Sequence, residues 1–193
     1  MTRSAPQFVL ASASPRRAEL LAAAGFAFEV AHADIDEAPL AGESADRYVL
    51  RLAEGKARAV ASRHPSRPVL GADTTVVVDG DILGKPGDAA EAAAMLRRLQ
   101  GRAHEVLTGV AFVAPAGARV ELETTRVWFA PMTEAEIAAY VDTGEPLDKA
   151  GAYGIQGWAA RYVTRVEGSY SNVVGLPVAL VHALVRALVP GNI

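Results

Sequence analysis

Apolar positions follow two spacings along this chain. Short runs bounded by Gly, Pro and Asp read as strands, and longer stretches with apolar residues three or four apart read as helices. Residues 7–11 form a short apolar run, followed by Ser12-Ala13-Ser14-Pro15-Arg16-Arg17 and a helix through Leu20, Leu21 and Ala24. Ser14 as cap with Pro15 at the first helical position marks where that helix starts. Residues 26–30 predict a second strand. Residues 43–63 predict a long helix capped by Ser44, whose stripe runs Tyr48/Val49, Leu52, Lys56 and Ala59/Val60. The run 69–78 closes on Asp79-Gly80, a two-residue hairpin signal that pairs Val78 with Asp81.

The second half continues the alternation. Asp88 caps a helix through Leu99 that ends at Gly101, and strands over 105–113 and 119–129 are joined by Pro115-Ala116-Gly117. Thr133-Glu134-Ala135-Glu136 is a capping box opening a helix to about Asp142. Residues 144–157, GEPLDKAGAYGIQG, read as a glycine-rich binding loop, 162–166 as a strand and 168–172 as a polar loop. Pro177 begins a final amphipathic helix through Leu188, and the last few residues are expected to fray. The pattern predicts one α/β domain over residues 1–193, which could form two lobes, with no internal repeat.

Composition narrows the class of chemistry. The chain has 193 residues, a formal net charge of -3 and no cysteine. The charge argues against nucleic-acid or anionic-membrane partners, and the missing cysteine removes disulfides, thiolate nucleophiles and Cys-ligated zinc. No apolar run approaches the ~20 residues of a membrane span, and Met1-Thr2-Arg3 shows no signal-peptide core, so a cytoplasmic location is expected. His32, His64, His104 and His182 are scattered and read as surface or core residues, not as a metal cluster.

Several ionisable residues sit where the pattern predicts an interior. Asp73 falls within the apolar run 69–78. Burying a lone carboxylate costs on the order of several kcal/mol after relaxation, unless a cation, a metal or hydrogen bonds compensate. Either it is a salt-bridged core residue or it serves a site. Lys85 is a candidate partner, although two-residue hairpin register pairs it with Thr74, on the face opposite Asp73, unless pairing breaks near Gly84-Lys85-Pro86. Arg17 lies on the apolar stripe of its helix, at an N-terminus suited to anions, and Lys56 lies on the stripe of the next, where it either snorkels or meets a polyanion. The acidic loop Asp34-Ile35-Asp36-Glu37 offers oxygen ligands for Mg²⁺ or Mn²⁺. Gly55, in mid-helix, has no evident purpose.

Cations turned inward beside carboxylates suit a polyphosphate held with a hard metal. There is no G-x-x-x-x-G-K-[ST] and no G-x-G-x-x-G after a strand, which argues against a P-loop or dinucleotide fold. Metal-assisted attack of water on a phosphoryl centre remains, with Lys and Arg neutralising phosphate oxygens and a carboxylate activating the water.

Ser12-Ala13-Ser14-Pro15-Arg16-Arg17, Gly71-Ala72-Asp73-Thr74, Gly84-Lys85-Pro86, residues 145–157, Gly168-Ser169-Tyr170 and residues 172–177 (NVVGLP), in that order, resemble the Maf proteins, nucleoside triphosphate pyrophosphatases once described as septum-formation inhibitors. The resemblance implies an elongated α/β fold, a mixed sheet with flanking helices as in inosine triphosphate pyrophosphatases, with two lobes around a cleft, and a homodimer. It implies Asp73 as catalytic base, Glu37 as its metal or water partner, so that Glu37 and Asp73 hold the divalent cation, and Arg17, Lys56 and Lys85 as phosphate contacts with Ser12 in the first phosphate loop. Arg16, Thr74 and Gln156 match the Arg, Thr and Gln of the subgroup that acts on dTTP and UTP, where a sister subgroup has Trp, Gln and Glu. Gln156 can offer a pyrimidine edge both a donor and an acceptor. Gly55 departs from the bulkier residue expected before the helix lysine. The competing reading is a non-catalytic nucleotide-binding regulator of septum formation or cell division.

Overall fold

The computed structural model of the protein describes residues 6–189. The expectations placed on Met1-Thr2-Arg3 and on fraying at the C-terminus lie outside the described residues. A seven-stranded mixed sheet has the order β2 (Phe28–Ala31), β1 (Phe8–Ala11), β3 (Val69–Val78), β5 (Ala103–Ala114), β6 (Gly117–Phe129) and β7 (Val163–Glu167), with β4 (Asp81–Leu83) paired to β3. The helices are α1 (Pro15–Ala23), α2 (Ala45–Ala61), α3 (Ala89–Leu99), α4 (Glu134–Asp142), α5 (Tyr170–Val174) and α6 (Val178–Leu188). The chain divides into two compact units. The first holds the chain up to Asp73, Thr108–Glu123 and the chain from Gly175; the second holds Thr74–Leu107 and Thr124–Val174.

In the first unit β1 runs parallel to both β2 and β3, with Ala11 opposite Ala31 on one side and Gly71 on the other. Parallel strands need helical crossovers, and α1 and α2 supply them. Because side chains alternate along a strand, β1 feeds two cores. Phe8 and Leu10 pack with Leu21, Leu70, Ala72, Phe112, Leu176 and the α6 residues Val181, Leu184 and Val185. Val9 and Ala11 pack with Val69, Ala111 and the α2 residues Ala53, Ala57 and Val60.

Two glycines set how closely α2 lies on this sheet. A Cβ on Gly71 would stand 2.8 Å from the Ala57 nitrogen, and one on Gly109 would stand 2.8 Å from the Leu50 nitrogen. The same period of two carries Val69 and Gly71 to the α2 face and brings Asp73 there after them.

The second unit is organised by its turns. Asp79 and Gly80 both take positive φ, 55° and 83°, as a two-residue hairpin of this hand requires. Val78 pairs with Asp81 as the spacing predicts, and β4 ends at Leu83. The Asp88 side chain accepts from the Glu91 N–H to start α3, and Thr133 and Glu136 form the predicted capping box of α4. Buried rings of His104, Phe129 and Tyr153 meet edge to face with centroids 4.8–5.2 Å apart. His104 is thus a core residue, and burial pushes its pKa down to about 4, so it is neutral at pH 7.

Some local expectations differ from the structure. Ser14 occupies the N-cap of α1, but its side chain caps nothing; its own N–H donates to Ser12 Oγ at 3.2 Å. Ser44 at the N-cap of α2 likewise makes no side-chain cap bond. Residues 168–172, predicted as a polar loop, run into the short helix α5, because Ser169 supplies acceptors for the N–H groups of Asn172 and Val173. The glycine-rich stretch 144–157 is not featureless loop; Glu145–Asp148 and Ala150–Ala152 are 3₁₀ turns.

Replacing Gly71 with Ala should cost about 1–3 kcal/mol, the usual range for overpacking a tight interior. Urea denaturation of the variant measures this, and an unchanged midpoint would show that α2 can lift from β3 without cost.

Candidate active site

The first unit gathers charge just beyond the carboxyl end of β1 and beside the middle of β3. These neighbouring parallel strands lead away in opposite directions of the sheet order, the position where ligands bind in open α/β folds. Ser12 follows directly on β1, Arg17 stands on the first turn of α1, and Asp73 lies on β3 two residues beyond Gly71. Ser12, Arg17, Lys56 and Asp73 are each no more than 9% exposed. Four polar residues this deeply buried in one region need mutual partners.

Lys56 supplies the central one. Its Nζ lies 2.7 Å from Asp73 Oδ1 and 2.8 Å from Glu37 Oε1. The lysine expected either to snorkel or to meet a polyanion is buried and clamped between two carboxylates. It reaches them because α2 approaches β3 at Gly71 and because residue 73 faces α2. Burial raises the Asp73 pKa above the ordinary aspartate value, Lys56 and then Arg17 pull it down, and Glu37 adds to the rise. Desolvation wins, so the carboxylate binds a proton more readily than an exposed aspartate does.

Arg17 is fixed on both sides. Its Nε donates to the Gly175 carbonyl at 2.8 Å and one terminal nitrogen donates to Ser12 Oγ at 3.1 Å. Burial lowers its pKa, Asp73 opposes that effect, and Arg16 reinforces it. Arg17 shares its burial with Leu21, while Leu20 is half-buried and Ala24 exposed, so the buried stripe of α1 is narrower than its sequence spacing suggests. Arg16 is half-buried. Arg16, Arg17 and Lys56 against Asp73 and Glu37 leave a surplus of one positive charge, which favours an anion.

Glu37 sits on an exposed loop with its side chain 55% accessible, yet the loop is fastened to α2. The Tyr48 hydroxyl donates to the Glu37 carbonyl at 3.2 Å, and Arg51 donates to the Ala38 carbonyl at 3.1 Å. Arg51 also forks onto Glu43 through bonds of 2.6 and 2.7 Å, and Glu43 accepts from the Leu40 N–H. Gly55 now has a reason: a Cβ there would come within 3.2 Å of Ile35 Cδ1, so the bare helix surface gives the acidic loop room. Tyr48, Arg51 and Glu43 were not identifiable as site residues from sequence, since their partners are backbone groups of a loop without periodicity.

Thr74, Lys85 and Gln156 belong to the second unit. Thr74 is half-buried on β3, and Gln156 is exposed. Lys85, expected as an interior cation and as a candidate partner of Asp73, is exposed, and the lysine bound to Asp73 is Lys56. The physical reason is that pairing stops at Leu83 and the Gly84 carbonyl accepts from the Gly151 N–H at 3.0 Å, which takes the chain out of the ribbon before Lys85.

The acidic loop does not form a ready cation cage. Among the described residues no three His, Asp or Glu side chains converge to hold a metal, and Asp36 is occupied by the Ala38 N–H. Glu37 and Asp73 are brought together through Lys56, which bonds to both. Two carboxylate ligands completed by water and phosphate oxygens fit Mg²⁺ or Mn²⁺, which seldom take all their ligands from protein.

The chain is similar to known proteins over most of its length. The family model described as Maf-like protein matches residues 7–188. A protein of Koribacter versatilis named dTTP/UTP pyrophosphatase is 54% identical over 178 residues, covering 92% of each chain. One of Myxococcus xanthus with the same name is 57% identical over 180 residues, covering 92% of this chain and 90% of its own. The Ham1 protein of Staphylococcus aureus shares the fold, with a TM-score of 0.53 at 14% identity, over 93% of this chain and 98% of that one.

Changing Lys56 to Met keeps the length of the side chain and removes both influences by which Lys56 lowers the Asp73 pKa. The Asp73 carboxyl should then titrate at higher pH than in the parent, as followed by carboxyl ¹³C NMR. A downward or absent shift would show that Lys56 does not govern that group.

Proposed function

The chain belongs to the Maf family, and from that premise we propose that it is a nucleoside triphosphate pyrophosphatase that hydrolyses dTTP and UTP to the monophosphate and pyrophosphate. The observation that carries the reading is the buried Asp73 carboxylate, bridged through Lys56 to Glu37 beside the fixed Arg17. A polyphosphate and a cation would use the surplus positive charge and the two carboxylates together. Simple structural stability gives no reason to assemble them, because a buried ion pair is often replaceable by apolar residues without loss.

In this mechanism Asp73 accepts the proton of the attacking water. Its raised pKa makes it a better base than an exposed aspartate, and Lys56 favours the ionised form that the step requires. The new bond forms between the water oxygen and the α-phosphorus; the bond from that phosphorus to the bridging oxygen breaks, and pyrophosphate leaves with the electron pair. Arg17 and Ser12 hold phosphate oxygens on the α1 side. Lys56 stands against charge accumulating on the reacting phosphoryl group, and Lys85 is assigned to the phosphate chain. Mg²⁺ or Mn²⁺ held by Glu37 and Asp73 would supply charge neutralisation on the phosphates. Arg16, Thr74 and Gln156 are assigned to nucleotide selection, with the Gln156 amide as the group that reads the pyrimidine edge. Modified pyrimidine nucleotides fall in the same substrate class. The active form in this reading is a homodimer in the cytoplasm.

Two measurements test the reading. Asp73→Asn should lower pyrophosphate release from dTTP by roughly 10²–10⁴-fold, the contribution of a positioned base. An unchanged rate rejects Asp73 as the base, and an absence of turnover by the parent protein with either metal would leave a nucleotide-binding regulator. Gln156→Glu should cost about 1–3 kcal/mol in kcat/KM for dTTP and UTP, because a carboxylate replaces a donor by a second acceptor. Equal values before and after would mean that the base is read elsewhere.

A further inference from the structure

Gln156 is exposed, on a stretch containing Gly154 and Gly157, yet a residue that discriminates bases has to be held to a fraction of an ångström. The second unit holds it from both sides with one pair of polar groups, the buried Tyr140 and the half-buried Glu145. The Tyr140 hydroxyl accepts from the Gly154 N–H at 3.1 Å and donates to Glu145 Oε1 at 2.8 Å. The other carboxylate oxygen, Oε2, accepts from the Trp158 N–H at 3.0 Å. The backbone is thus gripped two residues before Gln156 and two residues after it, by groups bonded to one another. We propose that Tyr140 and Glu145 are the positioning residues for base selection, fixing the backbone that presents Gln156 without touching the nucleotide. The inference rests on the assignment of Gln156 above.

Every surrounding feature restrains the same pair. Tyr140 is fully buried on α4, and its ring stacks on Trp158 with centroids 5.5 Å apart at an interplanar angle of 17°. Arg161 lies over the same indole at 3.9 Å. The Glu145 carbonyl accepts from Lys149 Nζ at 2.7 Å, so the residue is fixed at its backbone as well as at its carboxylate. A Cβ on Gly157 would run into the Glu145 carboxylate, and a Cβ on Gly154 would stand 2.7 Å from Lys149 Cε. These glycines let the strap close onto its anchor; they do not make it slack. A carboxylate suits the anchor because it only accepts, and both its neighbours here are donors.

The pair has no evident work in phosphoryl chemistry, so its effect should appear in substrate choice. Glu145→Gln keeps shape but places an NH₂ against one of the two donors. The ratio of kcat/KM for dTTP to that for ATP should fall on the order of tenfold, through KM for dTTP more than through kcat, the scale expected when a recognition group is displaced slightly. Tyr140→Phe, which keeps the ring on Trp158, should lower the ratio in the same direction and serves if Glu145→Gln fails to fold. The decisive comparison repeats both substitutions in a Gln156→Ala background. If they act through Gln156, the ratio there is already low and neither changes it further. An equal drop in both backgrounds overturns the proposal, as does an unchanged ratio in the parent background when Gln156→Ala alone lowers it. If Gln156→Ala itself leaves the ratio untouched, the assignment of Gln156 fails first, and this inference falls with it.

Discussion

The desolvated carboxylate of Asp73 is the constraint on which the first unit depends. A strand position flanked by Val69, Leu70 and Ala72 is a costly place for a negative charge, and the chain answers with a lysine from the adjacent helix. That answer works only if α2 lies close enough for an ammonium to reach β3, which is why Gly71 and Gly109 have no side chains on the face that α2 covers. Helix packing, glycine placement and the protonation of Asp73 are therefore one arrangement. A change to any of them is felt by the others.

A second consequence is that the site is built with its charges already opposed. Lys56 is held between two carboxylates and Arg17 between a carbonyl and a hydroxyl, so neither has to be ordered by an arriving ligand. Such preorganisation removes reorganisation from the reacting step. The cost is local: burial works against the charged forms of both Asp73 and Arg17. Interior ion pairs of this kind add little to stability, and their presence is better explained by chemistry than by folding.

Much of this was legible in the sequence because the informative residues broke a pattern. Asp73 interrupts an apolar strand, while Arg17 and Lys56 interrupt apolar helix faces, and each interruption proved to be a buried charge. Hairpin register, the α3 cap and the α4 capping box were readable because short-range turn and cap chemistry determines them. Lys85 reads as interior yet is exposed, because the hairpin period says nothing about where pairing stops, and here a backbone bond from Gly151 decides it. The side chains of Ser14 and Ser44 cap nothing even though both residues occupy cap positions, since position alone does not fix a rotamer. The Tyr48–Arg51–Glu43 clasp left no trace in any periodicity, because its targets are carbonyl and N–H groups of a loop.

Two of the exposed polar residues of interest, Glu37 and Gln156, show the same solution to the same difficulty. Each lies on non-repetitive backbone, where ordering a residue costs about 1–2 kcal/mol with no regular ladder to offset it. In each case a tyrosine hydroxyl from a helix and a carboxylate carried by the loop itself take up the loop's own backbone groups: Tyr48 and Glu43 for the first loop, Tyr140 and Glu145 for the second. In neither loop do these bonds use the functional side chain, so Glu37 keeps its accessible carboxylate and Gln156 its exposed amide. Rigidity is thereby supplied to the backbone while chemistry is left to the tip. Glycine then has a consistent part in both loops, at Gly55 beneath Ile35 and at Gly157 against Glu145, where it marks a close approach between a loop and its anchor, not a point of freedom.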